Sequence, residues 1–414
     1  MRRLWPLTVR GTGALVLAAA CFIAASELGV IELMYFGMLL VAVVATSLAS
    51  LYFARRIDTV SRVLRPEVAT VGRESSVIVQ VGVRTAVPTP PGRWHDTLPS
   101  ALRGRADGVF PALGSGLRGV ERLVELHYAV TGTQRGVHTI GPLALRQVDP
   151  FGLARRSISF GERSAVTVAP AVVDLPSLAE YAGATGGLLQ ATIHQLGQGA
   201  DNLVARPYVP GDSRRRIHWR ATAHRDELMV RQEEQESTPE ASVVLDRGAL
   251  RYSPDAMSAP GVDPGFEAAV SACVSAVARL VGDGYAVEVI DSDGTVLAER
   301  IDAGDTTEVE GVVAQFATVT ARGDDHLARV GRLFAGVMTG PVVVITGRLD
   351  VQDATALAPV AHHSALPLLL AVAPREDALA QLGAYGWRTA RIGADTDLAA
   401  AWAGAVDREN AHVA

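Results

Sequence analysis

The sequence predicts a membrane-anchored protein with three structured parts in a fixed order. An N-terminal two-helix transmembrane hairpin comes first, an all-β domain of the immunoglobulin-like sandwich type follows, and an α/β domain of Rossmann type ends the chain. Three observations predict this order: two charge-free apolar runs near the N-terminus, a two-residue apolar period over 65–170, and alternating strand-like and helix-like segments over 240–405.

The hairpin is predicted over 11–54, with helices at about 11–26 and 33–54, because neither run contains a charged residue. As α-helices the runs would be about 24 Å and about 33 Å long, against a bilayer core of about 30 Å. Arginines lie before the first run, within 1–10, and after the second, so the positive-inside rule places the large domains in the cytoplasm. A cleaved signal peptide is the alternative for the first run, but a second apolar run follows at once.

The β-sandwich domain is predicted over 65–170 from short alternating segments. The alternating valines over 77–83 show the two-residue period, and 120–130, 137–146 and 165–169 show it again between Gly and Pro residues. Strand spacing does not by itself separate a sandwich from a barrel.

Two segments close this region. Asp149-Pro150-Phe151-Gly152 predicts a turn, because Asp can bond its own backbone, Pro fixes φ and Gly allows a positive φ. Residues 171–200 end in a stretch rich in Gly, Ala and Gln, which predicts a linker.

The α/β domain is predicted over 240–405, followed by a tail at 406–414. An amphipathic helix lies between its first two strands. Its ligand site is expected at the carboxyl ends of the strands, as in other open α/β sheets. Strands are expected at Ala241–Leu245, Ala286–Ile290, Val342–Thr346, Leu366–Val372 and Arg388–Ile392. Asp291 and Asp293, in an Asp-Ser-Asp-Gly turn, are expected to be solvated.

Composition excludes several functions. All 38 basic residues are Arg, so neither a phosphate-binding P-loop nor Schiff-base catalysis is possible, since both need a Lys. The net charge of -6 gives no general attraction to nucleic acid. Cys21 and Cys273 are the two cysteines, too few for a disulfide framework or a cysteine metal site. The 49% hydrophobic content agrees with a membrane segment.

Residues 201–236 carry an unusual charge pattern. Six Arg and one Asp lie between Arg206 and Arg225, whereas five acids and one Arg lie over 226–236. One interpretation is a structural latch, in which arginines clamp these acids or a neighbouring domain. The other is binding of an anion or of an acidic face of a partner, with Tyr208 and Trp219 as rigid anchors.

Two further predictions concern the same segment. Asp212 follows Gly211 and is expected to cap a short helix that reaches His224. His218 and His224 have no carboxylate or Cys at metal-ligand spacing, which favours hydrogen-bonding or surface roles.

The order of these elements resembles the signature of the bacterial domain of unknown function 58 family. The matching elements are Arg206 with Tyr208, Gly211 with Asp212, Arg214 to Trp219 and Leu228 to Arg231, preceded by Arg135-Gly136, Ile140-Gly141-Pro142 and Asp149 to Leu153. The resemblance implies a membrane-anchored protein of the bacterial inner membrane whose α/β domain is similar to a von Willebrand factor A domain. It also implies association with MoxR-type AAA+ ATPases. The expected interaction residues are Arg206, Tyr208, Gly211, Asp212, Arg216, Trp219, Arg220 and Arg231.

The same resemblance bears on metal binding. Von Willebrand factor A domains hold Mg²⁺ with an Asp-x-Ser-x-Ser run after the first strand and with a Thr and an Asp from later loops. The matching run here begins with Asp246, but Gly248 and Leu250 stand where the serines would be, and Gly347 stands where an Asp is common. Asp246 is therefore expected to mark a degenerate metal site, with no bound metal or other cofactor.

The function expected from these observations is that of a non-enzymatic protein-interaction or scaffold protein. No catalytic constellation is found, so catalytic residues are not assigned. The expected partners are membrane lipid, a MoxR-type ATPase and other membrane or envelope proteins, with no nucleic acid. The alternative is a metal-dependent hydrolase or ligand-binding protein, with Asp246, His218 and His224 near a site at the carboxyl ends of the strands. Phosphate or nucleic-acid binding by Arg214, Arg215 and Arg216 is a third interpretation.

Overall fold

The structure is a computed structural model of the chain. It describes residues 5–53, 55–85, 90–114, 122–178, 203–207, 222–224, 227–233, 238–336 and 338–407. The chain divides into two compact units, residues 1–169 and 170–414, and each is described by itself.

The first unit begins with the two predicted apolar helices, α1 (Val9–Leu28) and α2 (Ile31–Phe53). The Thr8 side chain caps α1 by accepting from the amide of Gly11, and Gly29 ends it with φ 66°. Glu32 lies in the first turn of α2, where the helix dipole favours an acid. Both helices are long and apolar enough to cross a membrane, which is compatible with a membrane anchor.

A β-rich region follows α2 directly. Its strands are β1 (Arg55–Arg65), β2 (Ala69–Thr70), β3 (Glu74–Thr85), β4 (Gly92–Asp96), β5 (Leu102–Gly104), β6 (Asp107–Phe110), β7 (Arg122–Gly132), β8 (Gly136–Ile140), β9 (Leu143–Val148), β10 (Arg155–Phe160) and β11 (Ser164–Ala169). They form sheets of strand order β1-β3-β7-β5, β10-β9-β4-β6 and β2-β11-β8. All the pairs are antiparallel except β2 with β11.

The core of this region is built by alternation, as predicted. The valines of β3 at 77, 79, 81 and 83 are at most 1% exposed and share one cluster with Trp94 and Phe110. The carboxylate of Asp96 is also buried here. Arg62 Nε and Nη2 each donate a hydrogen bond to it at 2.8 Å. The hydroxyl of Tyr128 donates to Asp96 Oδ2 at 2.8 Å, so this buried carboxylate is fully paired.

One predicted strand was wrong in its extent. Residues 137–146 form two strands in two sheets, β8 and β9, and not one. Gly141 has φ 100° and Pro142 has no amide hydrogen, so the extended run breaks between them. The turn predicted at 149–152 is confirmed, because Asp149 Oδ2 accepts from the amide of Phe151 at 2.9 Å.

The second unit contains a strand pair, β12 (Leu203–Pro207) with β13 (Met229–Glu233), and a six-stranded α/β sheet. The strand order is β16-β15-β14-β17-β18-β19, parallel except for the β15–β16 pair. The elements in chain order are β14 (Glu240–Leu245), α3 (Pro264–Gly282), β15 (Ala286–Asp291), β16 (Val296–Ile301), α4 (Thr306–Gln315), α5 (Val330–Leu333), β17 (Thr339–Leu349), α6 (Val351–Leu357), β18 (Ser364–Pro374), α7 (Glu376–Ala384), β19 (Arg388–Arg391) and α8 (Leu398–Val406). The five predicted strands are all present.

Helices cover both faces of this sheet, which gives three layers. Val243 and Leu245 of β14 lie in one buried cluster with α3 and Trp402, whereas Val244 lies in a second cluster with α6 and α7. The predicted helix α3 packs its apolar face on the sheet, with Phe266, Cys273 and Leu280 at most 1% exposed. The parallel pairing of β14 with β15 and with β17 sets the carboxyl ends of these strands side by side at one edge.

The linker prediction over 171–200 was wrong for its first part. Residues 171–178 pack along α3: the amide of Val173 donates to Ser275 Oγ at 2.9 Å, and Ser177 Oγ donates to Asp283 at 2.6 Å. Leu175 and Leu178 join the apolar cluster of α3. The remaining residues, 179–200, lie outside the described residues.

Candidate functional site

The candidate site lies at the carboxyl edge of the α/β sheet. Asp246 follows β14, Asp291 ends β15, Ser292 follows it, and Thr346 lies in β17. These four side chains come from parallel neighbours and are at most 2% exposed. The edge at which α/β sheets bind ligands therefore holds a buried polar cluster in this chain.

The Asp246 carboxylate accepts hydrogen bonds on both oxygens. Oδ1 accepts from the amide of Gly248 at 3.1 Å and from Ser292 Oγ at 3.0 Å. Oδ2 accepts from Thr346 Oγ1 at 2.8 Å. Burial raises the pKa of Asp246, and these three donors oppose that rise. The carboxylate is thus held by hydroxyl and amide donors on three sides.

Arg251 supplies a positive charge to the cluster. Its guanidinium donates to both oxygens of Asp353, with Nη2 to Oδ1 at 2.8 Å, and to Asp325 Oδ1 at 3.0 Å. Its Nε lies 3.9 Å from Asp246 Oδ2. Burial lowers the pKa of Arg251, but Asp353 and Asp325 outweigh that effect and raise it. The group therefore stays charged beside three carboxylates.

A second charge network surrounds Asp291, which is fully buried. Its Oδ2 accepts from Arg247 Nε at 2.7 Å and lies 3.1 Å from Arg322 Nη2. The same Arg322 atom lies 2.7 Å from Asp293 Oδ2. Arg322 is placed here by backbone hydrogen bonds, because its amide donates to Arg247 O at 2.8 Å. The prediction of solvated turn residues was therefore wrong for Asp291.

Two glycines bring the turn after β14 onto the edge. A Cβ at Gly347 would lie 2.1 Å from Arg251 O, and one at Gly248 would lie 3.2 Å from Asp324 O. A side chain at 347 would have to displace the turn that carries Arg251. The same turn leaves the side chain of Leu250 70% exposed, outside the paired charges.

The predicted interaction segment is described only in part. Leu203–Pro207 (β12) pairs antiparallel with Met229–Glu233 (β13), with Arg206 opposite Val230 and Arg231 opposite Ala205. Between the strands, the amide of Met229 donates to Thr222 Oγ1 at 3.0 Å. The other predicted residues, Tyr208, Gly211, Asp212, Arg216, Trp219 and Arg220, lie outside the described residues.

Of the two histidines considered from the sequence, only His224 lies among the described residues. It has an exposed side chain on a helical turn, and His218 lies outside the described residues. Within the described ranges there is no group of three or more His, Cys, Asp or Glu side chains that could hold a metal ion.

Sequence reasoning found Asp246 but missed the groups around it. Arg251, Arg322, Asp325 and Asp353 come from turns and a helix start far apart in the chain, and the fold alone brings them together. A partial signal was present for Ser292 and Thr346, which stand at the ends of predicted strands.

Comparison with known proteins gives one family match. Residues 204–399 match the family described as Protein of unknown function DUF58. Comparison with curated proteins gives no match.

Two solved structures similar to part of this chain illustrate the comparison with known folds. The CARDB domain of a Pyrococcus furiosus protein, in complex with di-metal ions, is 17% identical with a TM-score of 0.19, over 28% of this chain and 96% of that chain. β-Glucosidase 3B from Thermotoga neapolitana, in complex with glucose, is 11% identical with a TM-score of 0.13, over 28% of this chain and 17% of that chain. The match over 204–399 supports membership of the family described as Protein of unknown function DUF58.

Proposed function

We propose that this chain is a membrane-anchored, non-enzymatic protein that binds another protein at the carboxyl edge of its α/β domain. One observation carries the proposal. The charged side chains at this edge are paired with one another, while the apolar side chain of Leu250 is 70% exposed beside them. An exposed apolar side chain above neutralised charges suits a protein contact better than a small polar ligand.

The proposal includes a von Willebrand factor A-like character for this domain, with the metal replaced. A hard cation at Asp246 would find hydroxyl oxygens on Ser292 and Thr346, but both hydroxyls already donate to the carboxylate. The guanidinium of Arg251, 3.9 Å from Asp246 Oδ2, provides a cation in the same region. Gly347 permits this arrangement, since a side chain there would meet Arg251 O. We infer that Arg251 takes the place of the metal ion.

The proposed partner is a MoxR-type AAA+ ATPase, which the family resemblance suggests, since such proteins are typically encoded beside one. The test is co-purification of the full chain, solubilised from membranes, with the ATPase encoded beside it, in ATP and in ADP. We expect the solubilised chain to retain the ATPase in at least one nucleotide state. Absence of retention in both states would remove the ATPase as partner.

A matched pair of variants tests the surface. Leu250→Asp puts a charge at the proposed contact, and Tyr385→Asp puts one before β19, at the opposite, amino edge of the sheet. Both side chains are exposed, at 70% and 36%, so neither change should unfold the domain. Leu250→Asp is expected to weaken retention at least tenfold, and Tyr385→Asp to leave it unchanged. Equal retention of both variants would place the contact elsewhere.

The second candidate is a metal-dependent hydrolase or a ligand-binding protein at the same edge. It is favoured by the convergence of three side chains. Ser292 Oγ lies 3.0 Å from Asp246 Oδ1, and Thr346 Oγ1 lies 2.8 Å from Asp246 Oδ2. Titration calorimetry of the full chain with Mg²⁺ and Mn²⁺ separates the two candidates. Binding of either metal to the unaltered chain at micromolar concentration would favour the hydrolase or ligand-binding function. The proposed protein-binding function expects no metal binding.

A further inference from the structure

The turn at Asp149–Ala154, called the anchor turn here, stands beside the ends of both membrane helices. The amide of Thr8, just before α1, donates to Leu153 O at 2.9 Å, and Thr8 Oγ1 donates to Gly152 O at 2.6 Å. Leu7 also forms a β-bridge with Ala154. The anchor turn is therefore joined by backbone hydrogen bonds to the start of α1.

The end of α2 meets the same part of the β-rich region. Arg156 Nη1 donates to Leu51 O at 2.8 Å, and its guanidinium carbon lies 4.6 Å above the ring of Tyr52. Leu51 packs with Leu7 and Ala154 in a small apolar cluster. Since one end of each helix meets it, the anchor turn lies level with one face of any membrane that the hairpin spans.

The anchor turn is held by hydrogen bonds to Asp149, and it presents an apolar side chain. Asp149 accepts from the amides of Phe151 at 2.9 Å and Ala154 at 2.6 Å, and Gly152 has φ 71°. Phe151 between them is 62% exposed. At the same level, Trp5 and Tyr52 are 61% and 54% exposed. Exposed aromatic side chains level with helix ends are typical of the membrane–water interface.

Basic side chains accompany these rings. Arg155 Nε donates to Trp5 O at 3.4 Å, and Arg156 lies over Tyr52. Aromatic rings at the acyl boundary with guanidinium groups at headgroup level form an arrangement that suits a phospholipid surface.

We propose that the anchor turn contacts the bilayer that holds α1 and α2, with the ring of Phe151 in the headgroup region beside Trp5 and Tyr52. This contact would hold the β-rich region against the membrane surface. The inference rests on the proposed membrane anchor, and its test distinguishes failure of the contact from failure of the anchor.

The experiment measures the depth of spin labels in the full chain, reconstituted in vesicles of phosphatidylcholine and phosphatidylglycerol. Single cysteines replace Phe151, Val16 in α1 or Val109 on β6, after the buried Cys21 and Cys273 are changed to Ala. Val16 and Val109 are 65% and 70% exposed, so both positions accept a label. Power saturation then measures how accessible each spin label is to oxygen and to a water-soluble nickel complex.

We expect the label at 16 to lie deep in the bilayer and the label at 109 to lie in water. The label at 151 should be at least threefold less accessible to the nickel complex than the label at 109. Equal access at 151 and 109, with 16 deep, would overturn the contact and leave the anchor standing. An aqueous label at 16 would overturn the anchor itself. Spin–spin broadening at 151 that disappears on dilution with unlabelled chain would assign Phe151 to a contact between copies, which also overturns the proposal.

A second measurement keeps the Phe151 ring. A label at Val148, the 42% exposed last residue of β9, is compared with Phe151 intact and with Phe151→Asp. Asp should lift the anchor turn from the headgroups and raise nickel access at 148 at least twofold. Unchanged access would count against the contact.

Discussion

Arg251 neutralises three carboxylates at the carboxyl edge of the sheet. Its side chain is 12% exposed, and its positive charge offsets the negative charges of Asp353 and Asp325. It also lies 3.9 Å from the carboxylate of Asp246. Arg251→Met would leave these carboxylates without their cation, and removal of one partner of a buried ion pair costs about 3–5 kcal/mol. For a unit of this size we expect Tm to fall by about 6–20 °C, measured by scanning fluorimetry of the solubilised chain.

The control for this change is Arg300→Met. Arg300 pairs with Glu240 while both side chains are more than half exposed, at 53% and 65%, so this pair is worth less than about 1 kcal/mol. Addition of Mg²⁺ completes the test, because a vacated cation position should let the metal raise the Tm of Arg251→Met but not that of the unaltered chain. Equal Tm losses in the two variants would contradict the role given to Arg251.

Asp293 is expected to make the stability of this unit sensitive to acid. Burial, the largest single influence, raises its pKa, but hydrogen bonds from Thr295 and Arg322 together outweigh burial and lower it. A lowered folded-state pKa contributes stability above about pH 4, the unfolded value, and this contribution disappears as the pH falls through the folded value. Tm should therefore fall on acidification below about pH 5, and Asp293→Asn should flatten that fall. Parallel Tm curves for the two proteins over this range would contradict the assignment.

At the scale of elements, the joint between α1 and the anchor turn depends on one glycine. A Cβ at Gly11 would lie 2.0 Å from Leu153 O, whereas a Cβ at Gly13, half a turn further along α1, meets nothing within 4 Å. Gly11→Ala should therefore open the joint, and Gly13→Ala should be neutral or stabilise α1 by about 0.5–1 kcal/mol.

Hydrogen–deuterium exchange measures this difference directly. The amides of Thr8 and Arg155 donate across the joint, to Leu153 O and to Pro6 O, so both are protected while it is closed. Faster exchange of peptides covering these amides is expected in Gly11→Ala alone. The same exchange in Gly11→Ala as in Gly13→Ala would mean that the joint accommodates a methyl group.

The elements show which features of this chain can be predicted from sequence. The charge-free runs, the alternating valines of β3 and the apolar face of α3 were predictable because burial imposes a period on neighbouring residues. The packing of 171–178 on α3 was not, since it rests on hydrogen bonds to Ser275 and Asp283, about a hundred residues away in sequence. Asp246 could be found through the resemblance to von Willebrand factor A domains, whose metal-site run begins with an Asp after the first strand. Its neighbour Arg251 could not, because a loop arginine shows no local pattern.

At the scale of the whole molecule, apolar length alone does not identify the membrane anchor. Three helices in the described part of the chain are long and apolar enough to cross a membrane: α1, α2 and α3. In α3 the apolar residues face the α/β sheet, with Val270 and Val277 at most 1% exposed. In α1 and α2 large apolar side chains such as Val16 and Leu39 are 65% and 58% exposed, which is compatible with a membrane anchor.

The charge distribution predicts an orientation of the hairpin in the membrane. Arginines flank the hairpin on both sides, at 2, 3 and 10 and again at 55, 56, 62 and 65, so the positive-inside rule predicts that the β-rich region and the α/β domain are cytoplasmic. A cysteine at Val109, which is 70% exposed on β6, reports the side of the membrane, because native Cys21 and Cys273 are buried. We expect a membrane-impermeant maleimide to label it in lysed spheroplasts and in inverted vesicles, but not in intact spheroplasts. Labelling of intact spheroplasts would reverse the orientation and move the proposed protein contact to the outer face, where a cytoplasmic ATPase could not reach it.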